Sequence, residues 1–561
     1  MSTKKIVKID GIPVEIKEEK NLLELIRKAG IQLPTFCYHS GLSIYGACRM
    51  CMVEDERGNL DAACSAQPWD GMVVKTNTQR LRKYRKMILE LLLSNHCRDC
   101  TVCDDSGECK LQALAANFHM EKVRFANTAE TPDIDKSSVS VVKDQSKCIL
   151  CGDCVRACDE IQNIGAIDFA FRGSKMRIST AFEEPLAESN CVGCGQCVAV
   201  CPTGAFVVRN HTEKVWKDLD NAKIKMTAQI APAVRTAIGE RLGLPSGVDS
   251  MGKLVAALRR LGFEEVYDTA TGADITVLEE SEELLGRIEK NENLPLLTSC
   301  CPAWVVYCEK NHPDMLKNIS TCRSPMQIMG SILKEYHKDD ERQAKHVAIM
   351  PCTAKKAEAA RDEFMTDGTP NVDYVLTTQE LSQMIREAGI VFEELEPETV
   401  DMPFGVRTGA GVIFGVTGGV TEAVLRRLST DKTLAGLRML ALDGVRGMEG
   451  FKETTIMVGE REVRIGVVSG LKNANDLLER VKDGEHFDFI EVMACPGGCV
   501  NGGGQSLLFD ETVEPRSKGL YDSDRACRVK RSEENPLLPP LYDDLLKGKV
   551  HELLHVHYGE K

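Results

Sequence analysis

The chain has 561 residues, enough for several domains, with a formal net charge of −14 and a pI near 5.5. That balance argues against a nucleic-acid surface. With no run of about 18 apolar residues and no apolar leader in "MSTKKIVKIDGIPVEIKEEK", a cytoplasmic protein with no membrane contact is expected, in which 24 cysteines read as metal ligands or redox groups rather than disulfides.

Sixteen cysteines fall between residues 37 and 201 and eight beyond. This predicts small cluster-binding modules followed by one large domain, with boundaries at 1–79, 80–125, 126–210 and 211–561. The opening stretch alternates like a hairpin and turns helical around "NLLELIRKAG". Then come Cys37, Cys48, Cys51 and Cys64, spaced C-x10-C-x2-C-x12-C. Four thiolates suit a [2Fe–2S] rhomb, and the spacing alone also admits a zinc site. The pattern resembles the N-terminal [2Fe–2S] domain of the large iron–sulfur subunit of complex I and of its hydrogenase relatives, which implies a β-grasp fold.

A predicted helix, "QRLRKYRKMILELLLSNH", delivers His96, after which Cys100, Cys103 and Cys109 complete H-x3-C-x2-C-x5-C. A lone histidine at a helix end is ordinarily a satisfied polar residue. Here a cubane needs four ligands and only three thiols are in register. Imidazole in place of thiolate removes a negative charge and raises the potential. The same four-ligand pattern occurs in the complex I subunit; Cys97 stands outside it. Next, "CILCGDCVRAC" and "CVGCGQCVAVC" each give C-x2-C-x2-C-x3-C, the run of two-cluster ferredoxins, in which the fourth cysteine serves the other cluster. One cubane then takes Cys148, Cys151, Cys154 and Cys201, the other Cys191, Cys194, Cys197 and Cys158. To about residue 210 the sequence describes an electron wire.

Helical and strand-like stretches alternate through 211–561, as in "MGKLVAALRRLGF" before "EEVYDT", which predicts an α/β domain. It holds Cys300 and Cys301 in "TSCCPAW", Cys352 in "IMPCTAKKAE", and Cys495 and Cys499 in "EVMACPGGCVNGGGQ". Adjacent Cα atoms lie ~3.8 Å apart, short of the ~4.4–6.8 Å of ordinary disulfides. Two inert thiols or a division of labour both fit that pair. One of the pair plus the other three cysteines suffices for a cubane, and the glycines at 497, 498 and 502–504 clear room for a bulky inorganic group.

These three segments resemble the signatures of the [FeFe]-hydrogenases, whose longer members carry the same upstream modules in the same order. The resemblance implies an H-cluster: a [4Fe–4S] cubane on Cys301, Cys352, Cys495 and Cys499, joined through Cys499 to a diiron unit with CO, cyanide and azadithiolate. With it come one [2Fe–2S] and three accessory [4Fe–4S] clusters. Cys300 is then the unligated member of the pair, exchanging protons with the azadithiolate amine; a free thiol titrates near pH ~8.5. By the same resemblance Lys355 pairs with a cyanide, Met350, Met493, Pro232 and Ala233 line the diiron unit, and Glu280, Ser320 and Glu283 carry protons outward with Arg287 near the mouth. Read without it, a lone lysine, a methionine or the acidic run "LEESEELLGR" is surface charge or core filler.

Three positions depart from many relatives: Ala303 for Gly, Met326 for Gln and Ala233 for Ser. Cys308, Cys322 and Cys527 are expected to be plainly buried. The glycine-rich "TGAGVIFGVTGGV" is too weak a signal for a nucleotide site. The implied reaction is reversible, 2H⁺ + 2e⁻ ⇌ H₂. Expected partners are ferredoxin or flavin- and NAD(P)-binding subunits, including those of electron-bifurcating complexes, with a stand-alone ferredoxin-linked enzyme as the alternative. A non-catalytic electron-transfer subunit leaves the large-domain motifs idle. A hydrogen sensor fits less well, since Cys300 is kept and no signalling domain is evident, and so does an iron–sulfur assembly factor, since such relatives lack an intact diiron site.

Overall fold

The computed structural model describes residues 4–127, 132–366, 368–429, 433, 436, 446–447, 450–458, 461–505 and 513–559. The expected hairpin forms from Ile6–Ile9 and Ile12–Glu15, turning at Asp10-Gly11. Its alternation places Val7, Ile9 and Val14 in one apolar cluster with the helix Leu22–Lys28. The Asn21 side chain caps that helix by accepting the Glu24 N–H at 3.0 Å, the bond a short polar N-cap is suited to. Met52–Asp55, Leu60–Ala62 and Val73–Lys75 complete a five-stranded mixed sheet.

The helix Gln79–Asn95 starts on a Thr78 cap and stops at His96, whose extended backbone ends it. In the next region Val141–Lys143 pairs antiparallel with Phe206–Val208, and Asp168–Ala170 with Arg177–Ser179. Each cysteine run enters a short helix through a left-handed glycine, Gly152 at φ 79° and Gly195 at φ 72°. Only glycine takes that conformation without penalty.

The large domain is built on two four-stranded sheets. One runs Glu265–Asp268, Ile224–Ile230, Gln343–Met350, Tyr374–Thr377, all parallel; the other runs Leu296–Leu297, Phe489–Met493, Arg461–Ser469, Phe451–Val458, with only the last pair antiparallel. Near-continuous apolar strands such as "VAIM" and "FIEVM" are the mark of parallel sheets covered on both faces, and the central strands are buried accordingly. Helices Met251–Leu261, Ala270–Lys290 and Pro325–Tyr336 cover them. The "TGAGVIFGVTGGV" stretch is a buried pair of short helical turns within this core. Cys308 and Cys322 are fully buried, whereas Cys527 is only half-buried, which corrects the expectation for that residue: it ends the helix Val513–Ala526. Among the described residues no helix is long and apolar enough to cross a membrane.

Candidate metal centre

Three of the parallel strands deliver cysteines from their carboxyl ends: Leu296–Leu297 leads to Cys300 and Cys301, Gln343–Met350 to Cys352, and Phe489–Met493 to Cys495. Open α/β sheets place sites there because the loops leave the sheet at that edge. Cys499 follows after Gly497 and Gly498, at φ 78° and 94°. A Cβ on Gly498 would sit 2.6 Å from the Thr417 amide nitrogen, so the turn passes the neighbouring backbone without room for a side chain.

All five cysteines bound one cavity of about 90 Å³, together with Met350, Met493, Lys355, Ala233 and Met326. Pro232 is buried next to it, but the wall is made by its neighbours Ala231 and Ala233. Among the described residues no three Cys, His, Asp or Glu side chains close around a single point as one ion would require. The five thiols line the space between them, a soft sulfur donor set of the kind an iron–sulfur cluster takes.

The doublet divides as its backbone dictates. Cys301 caps the helix Pro302–Asn311 and its sulfur receives the Ala494 N–H at 3.4 Å. It packs with Cys352 and Trp304, whereas Cys300 packs with Val277, Phe414 and Met493 beside Cys499. Trp304 fixes the approach, donating its indole N–H to the Thr298 carbonyl at 3.1 Å. Burial, then the nearby Glu280 charge, pushes the Cys300 thiol well up; burial and its neighbour Cys301 hold Cys352 up at about 11. Thiols this buried stay protonated unless a positive centre takes the charge. Lys355 supplies one cation at the wall. Its ammonium donates to Glu358 at 2.7 Å and to the Cys300 carbonyl at 3.2 Å. Burial opposes its charge, but the Glu358 carboxylate prevails and the pKa is raised.

Glu280 and Glu283 lie on one face of the helix Ala270–Lys290. Glu280 is completely buried; desolvation, and then the Glu283 charge, lifts it to about 8. Neither of its oxygens has a hydrogen bond of normal length. Beyond it the Ser320 hydroxyl donates to Glu283 Oε2 at 2.8 Å and receives the Cys322 N–H at 3.1 Å. Arg287 donates to Glu283 Oε1 at 2.6 Å and is pinned by the carbonyls of Asn293, Asn318 and Ile319.

Upstream, Cys148, Cys151, Cys154 and Cys201 bound one small cavity. Cys194, Cys191, Cys158 and Cys201 all lie near enough to Cys197 for their charges to act on its thiol. Cys37 neighbours Cys48, and Cys51 neighbours Cys64, with the Cys48 N–H on Cys37 Sγ at 3.3 Å. His96 is buried, which lowers its pKa and keeps the imidazole neutral, and its Nδ1 has no hydrogen-bond partner; a neutral ring with a bare nitrogen is the metal-ligating form. Cys103 is among the groups acting on Cys109, whose thiol burial raises to about 11, and Cys100 opens the intervening turn.

The modules meet closely. Phe36, Cys48, Cys109 and Cys151 share one apolar cluster, so both N-terminal modules abut the same cysteine loop. At the other end Gln196 donates to Cys495 Sγ at 3.2 Å, Thr353 donates to the Gly193 carbonyl at 2.7 Å, and Gly503 lies against Gly195. Gln196 and Thr353 escaped the sequence reading because attention to cysteine spacing passes over the residues between.

Comparison with known proteins agrees with this geometry. The family described as iron only hydrogenase large subunit, C-terminal domain, matches residues 224–503, and iron hydrogenase small subunit matches 510–561. A 2Fe-2S iron-sulfur cluster binding domain matches 5–79, the NADH-ubiquinone oxidoreductase-G iron-sulfur binding region 85–124, and a 4Fe-4S dicluster domain 147–205. The NADP-reducing hydrogenase subunit HndD of Solidesulfovibrio fructosivorans is 43% identical, with 99% of each chain covered. Iron hydrogenase 1 of Clostridium pasteurianum is 35% identical over 99% of this chain and 100% of its own. A solved [FeFe]-hydrogenase structure describing stepwise H-cluster assembly aligns with a TM-score of 0.55 at 38% identity, covering 62% of this chain and 98% of its own. The chain therefore belongs to the iron-only, or [FeFe]-, hydrogenase family: it is an enzyme that interconverts H₂ with protons, passing the electrons through iron–sulfur modules to a redox partner.

Proposed function

We propose that Cys301, Cys352, Cys495 and Cys499 hold the cubane of the H-cluster and that Cys300 stays off the metal as its proton-exchanging neighbour. The observation that carries this is the split of the doublet: one sulfur turned to Cys352 and the other to the Glu280 side. The diiron unit, bearing CO, cyanide and azadithiolate, supplies the iron-centred redox chemistry that makes and breaks the H–H bond. Met350, Met493, Ala233 and Met326 keep water from it, and Lys355 presents an ammonium to its anionic ligands. Pro232 supports this wall from behind. Cys300 Sγ passes protons between the cavity and the Glu280 carboxyl; Ser320 Oγ and Glu283 continue the path outward, and Arg287 holds Glu283 in place.

In this reading residues 1–79 form a β-grasp [2Fe–2S] domain and 80–125 a small domain with a His96, Cys100, Cys103, Cys109 cubane. Residues 126–210 form a two-cubane ferredoxin domain and 211–561 the catalytic domain. Cys37, Cys48, Cys51 and Cys64 hold the first cluster; Cys148, Cys151, Cys154 and Cys201, then Cys191, Cys194, Cys197 and Cys158, hold the last two. The physiological setting is a cytoplasmic complex with a flavin- and NAD(P)-binding partner. Its support is the full-length likeness to a subunit of an NADP-reducing hydrogenase. Cys300→Ala is the test: catalytic-domain iron and its spectroscopic signature should persist while H₂ evolution is lost, and retained gas production in matured protein would refute the assignment.

A further inference from the structure

The relay just described needs an outlet to water, and Arg287 is a poor one. Its guanidinium is committed to Glu283 and three carbonyls, and it does not release a proton at any working pH. A second branch leaves Glu283 through Thr321. The Thr321 amide donates to Glu283 Oε2 at 3.1 Å, and the Thr321 hydroxyl reaches the same oxygen at 3.4 Å. That hydroxyl is also 2.9 Å from Nδ1 of His555, whose Nε2 lies 3.1 Å from Glu279 Oε2. Tyr542 donates to the other Glu279 oxygen. The strand-like contact of Val556 N with the Thr321 carbonyl at 2.7 Å and of Arg323 Nε with the His555 carbonyl at 2.9 Å fixes the ring's position. Outside stand the exposed His551, with a ring centroid 5.4 Å from that of His555, and His557, 5.5 Å from His551.

We infer that His555 is the outer proton-exchange residue of this enzyme, joining solvent to Glu283 through the Thr321 hydroxyl. The inference rests on the Glu280–Ser320–Glu283 relay proposed above. On uptake the imidazolium gives its Nδ1 proton to Thr321 Oγ as the Thr321 hydroxyl proton passes to Glu283 Oε2. One proton moves from ring to carboxylate, no electron is transferred, and the threonine ends as it began. The Nε2–H stays on Glu279, which fixes the tautomer, and the ring recovers its proton from water at Nδ1, the one nitrogen left without one. On H₂ oxidation the same steps run backward. The charged and titratable groups facing the ring are Glu279, Glu283 and Arg287 on one helix, Tyr542 and Arg323 on their own segments, Arg427 behind Glu279, and His551 and His557 alongside. Burial opposes the Glu279 charge, but the bonds from His555 and Tyr542 prevail and hold its pKa below the ordinary value, so it remains an acceptor.

The test uses matured full-length enzyme as wild type, His555→Gln, Thr321→Val and Glu280→Gln. His555→Gln should lower H₂ evolution roughly tenfold or more and flatten its pH profile, with added imidazole restoring the rate. Thr321→Val cuts the path inside the ring, so it should be as slow and not be rescued. Independently of turnover, histidine-labelled NMR of the full chain should show the His555 ring changing protonation state across the working pH range. Wild-type rates and pH profile in both the His555 and Thr321 variants, or a ring locked in one state, would overturn the inference. If Glu280→Gln is then still inactive, only the outlet is wrong; if it too is fully active, the relay itself is.

Discussion

Replacing Glu280 by Gln should make the protein more stable and less active, and the gain should depend on pH. In the native state burial and the Glu283 charge raise the Glu280 carboxyl from 4.5 to about 8. The unfolded chain therefore ionises this group while the folded chain still holds the proton. Native stability is lost as pH climbs from about 4.5 and levels off above about 8, at about 1.4 kcal/mol per pH unit. Glutamine carries no such term. The stability gap between Glu280→Gln and wild type should be small near pH 5 and grow to on the order of 5 kcal/mol by pH 8, or several degrees in Tm. The buried amide finds the Ser299 N–H and Ser320 hydroxyl already close. Paired thermal melts at pH 5 and pH 8 measure the gap, and H₂ evolution on the same samples should fall by about 10²–10⁴. A Tm difference that is the same at both pH values would show that Glu280 is not held neutral by burial, and the physical basis for its role would go with it.

Gly503→Ala should strain the junction between the ferredoxin-like module and the catalytic domain. The new Cβ would lie 2.6 Å from the Cys194 carbonyl oxygen and 2.7 Å from Gly195 Cα, against an ordinary contact of 3.4 Å or more. The backbones must part, at about 1–3 kcal/mol. H₂ formation from an external electron donor should slow more than H₂/D₂O exchange, which draws no electrons through the wire; equal slowing would refute the reasoning. Arg235→Leu leaves Asp268 buried after losing bonds of 2.8 and 3.0 Å, and frees the Pro232 carbonyl beside the cavity. Breaking such a pair costs about 3–5 kcal/mol, a loss that denaturant melts would detect.

Much of this was legible because ligand chemistry leaves a local signature. C-x2-C-x2-C-x3-C and the H-x3-C-x2-C-x5-C run are confined to short segments, and the helix that carries Glu280 and Glu283 shows its period in "LEESEELLGR". The catalytic site was legible only through resemblance, since Cys301, Cys352 and Cys495 come together from strands that are far apart in sequence. What stayed hidden was pairing between distant side chains. Nothing in "CGQC" says that Gln196 will reach Cys495, and His555 lies 234 residues from the threonine it meets. Cys527, expected inside, sits half-buried at a helix end, because a single cysteine in an amphipathic stretch does not declare its face.

The contact of Gly503 with Gly195 has a consequence for how the enzyme trades electrons. With main chain against main chain and no side chain between, the cysteine loop through Gly195 stands as near the catalytic domain as two backbones allow. A joint this close shortens the gap an electron must cross, and its width is set by how the two backbones fold rather than by the rotamer of any side chain.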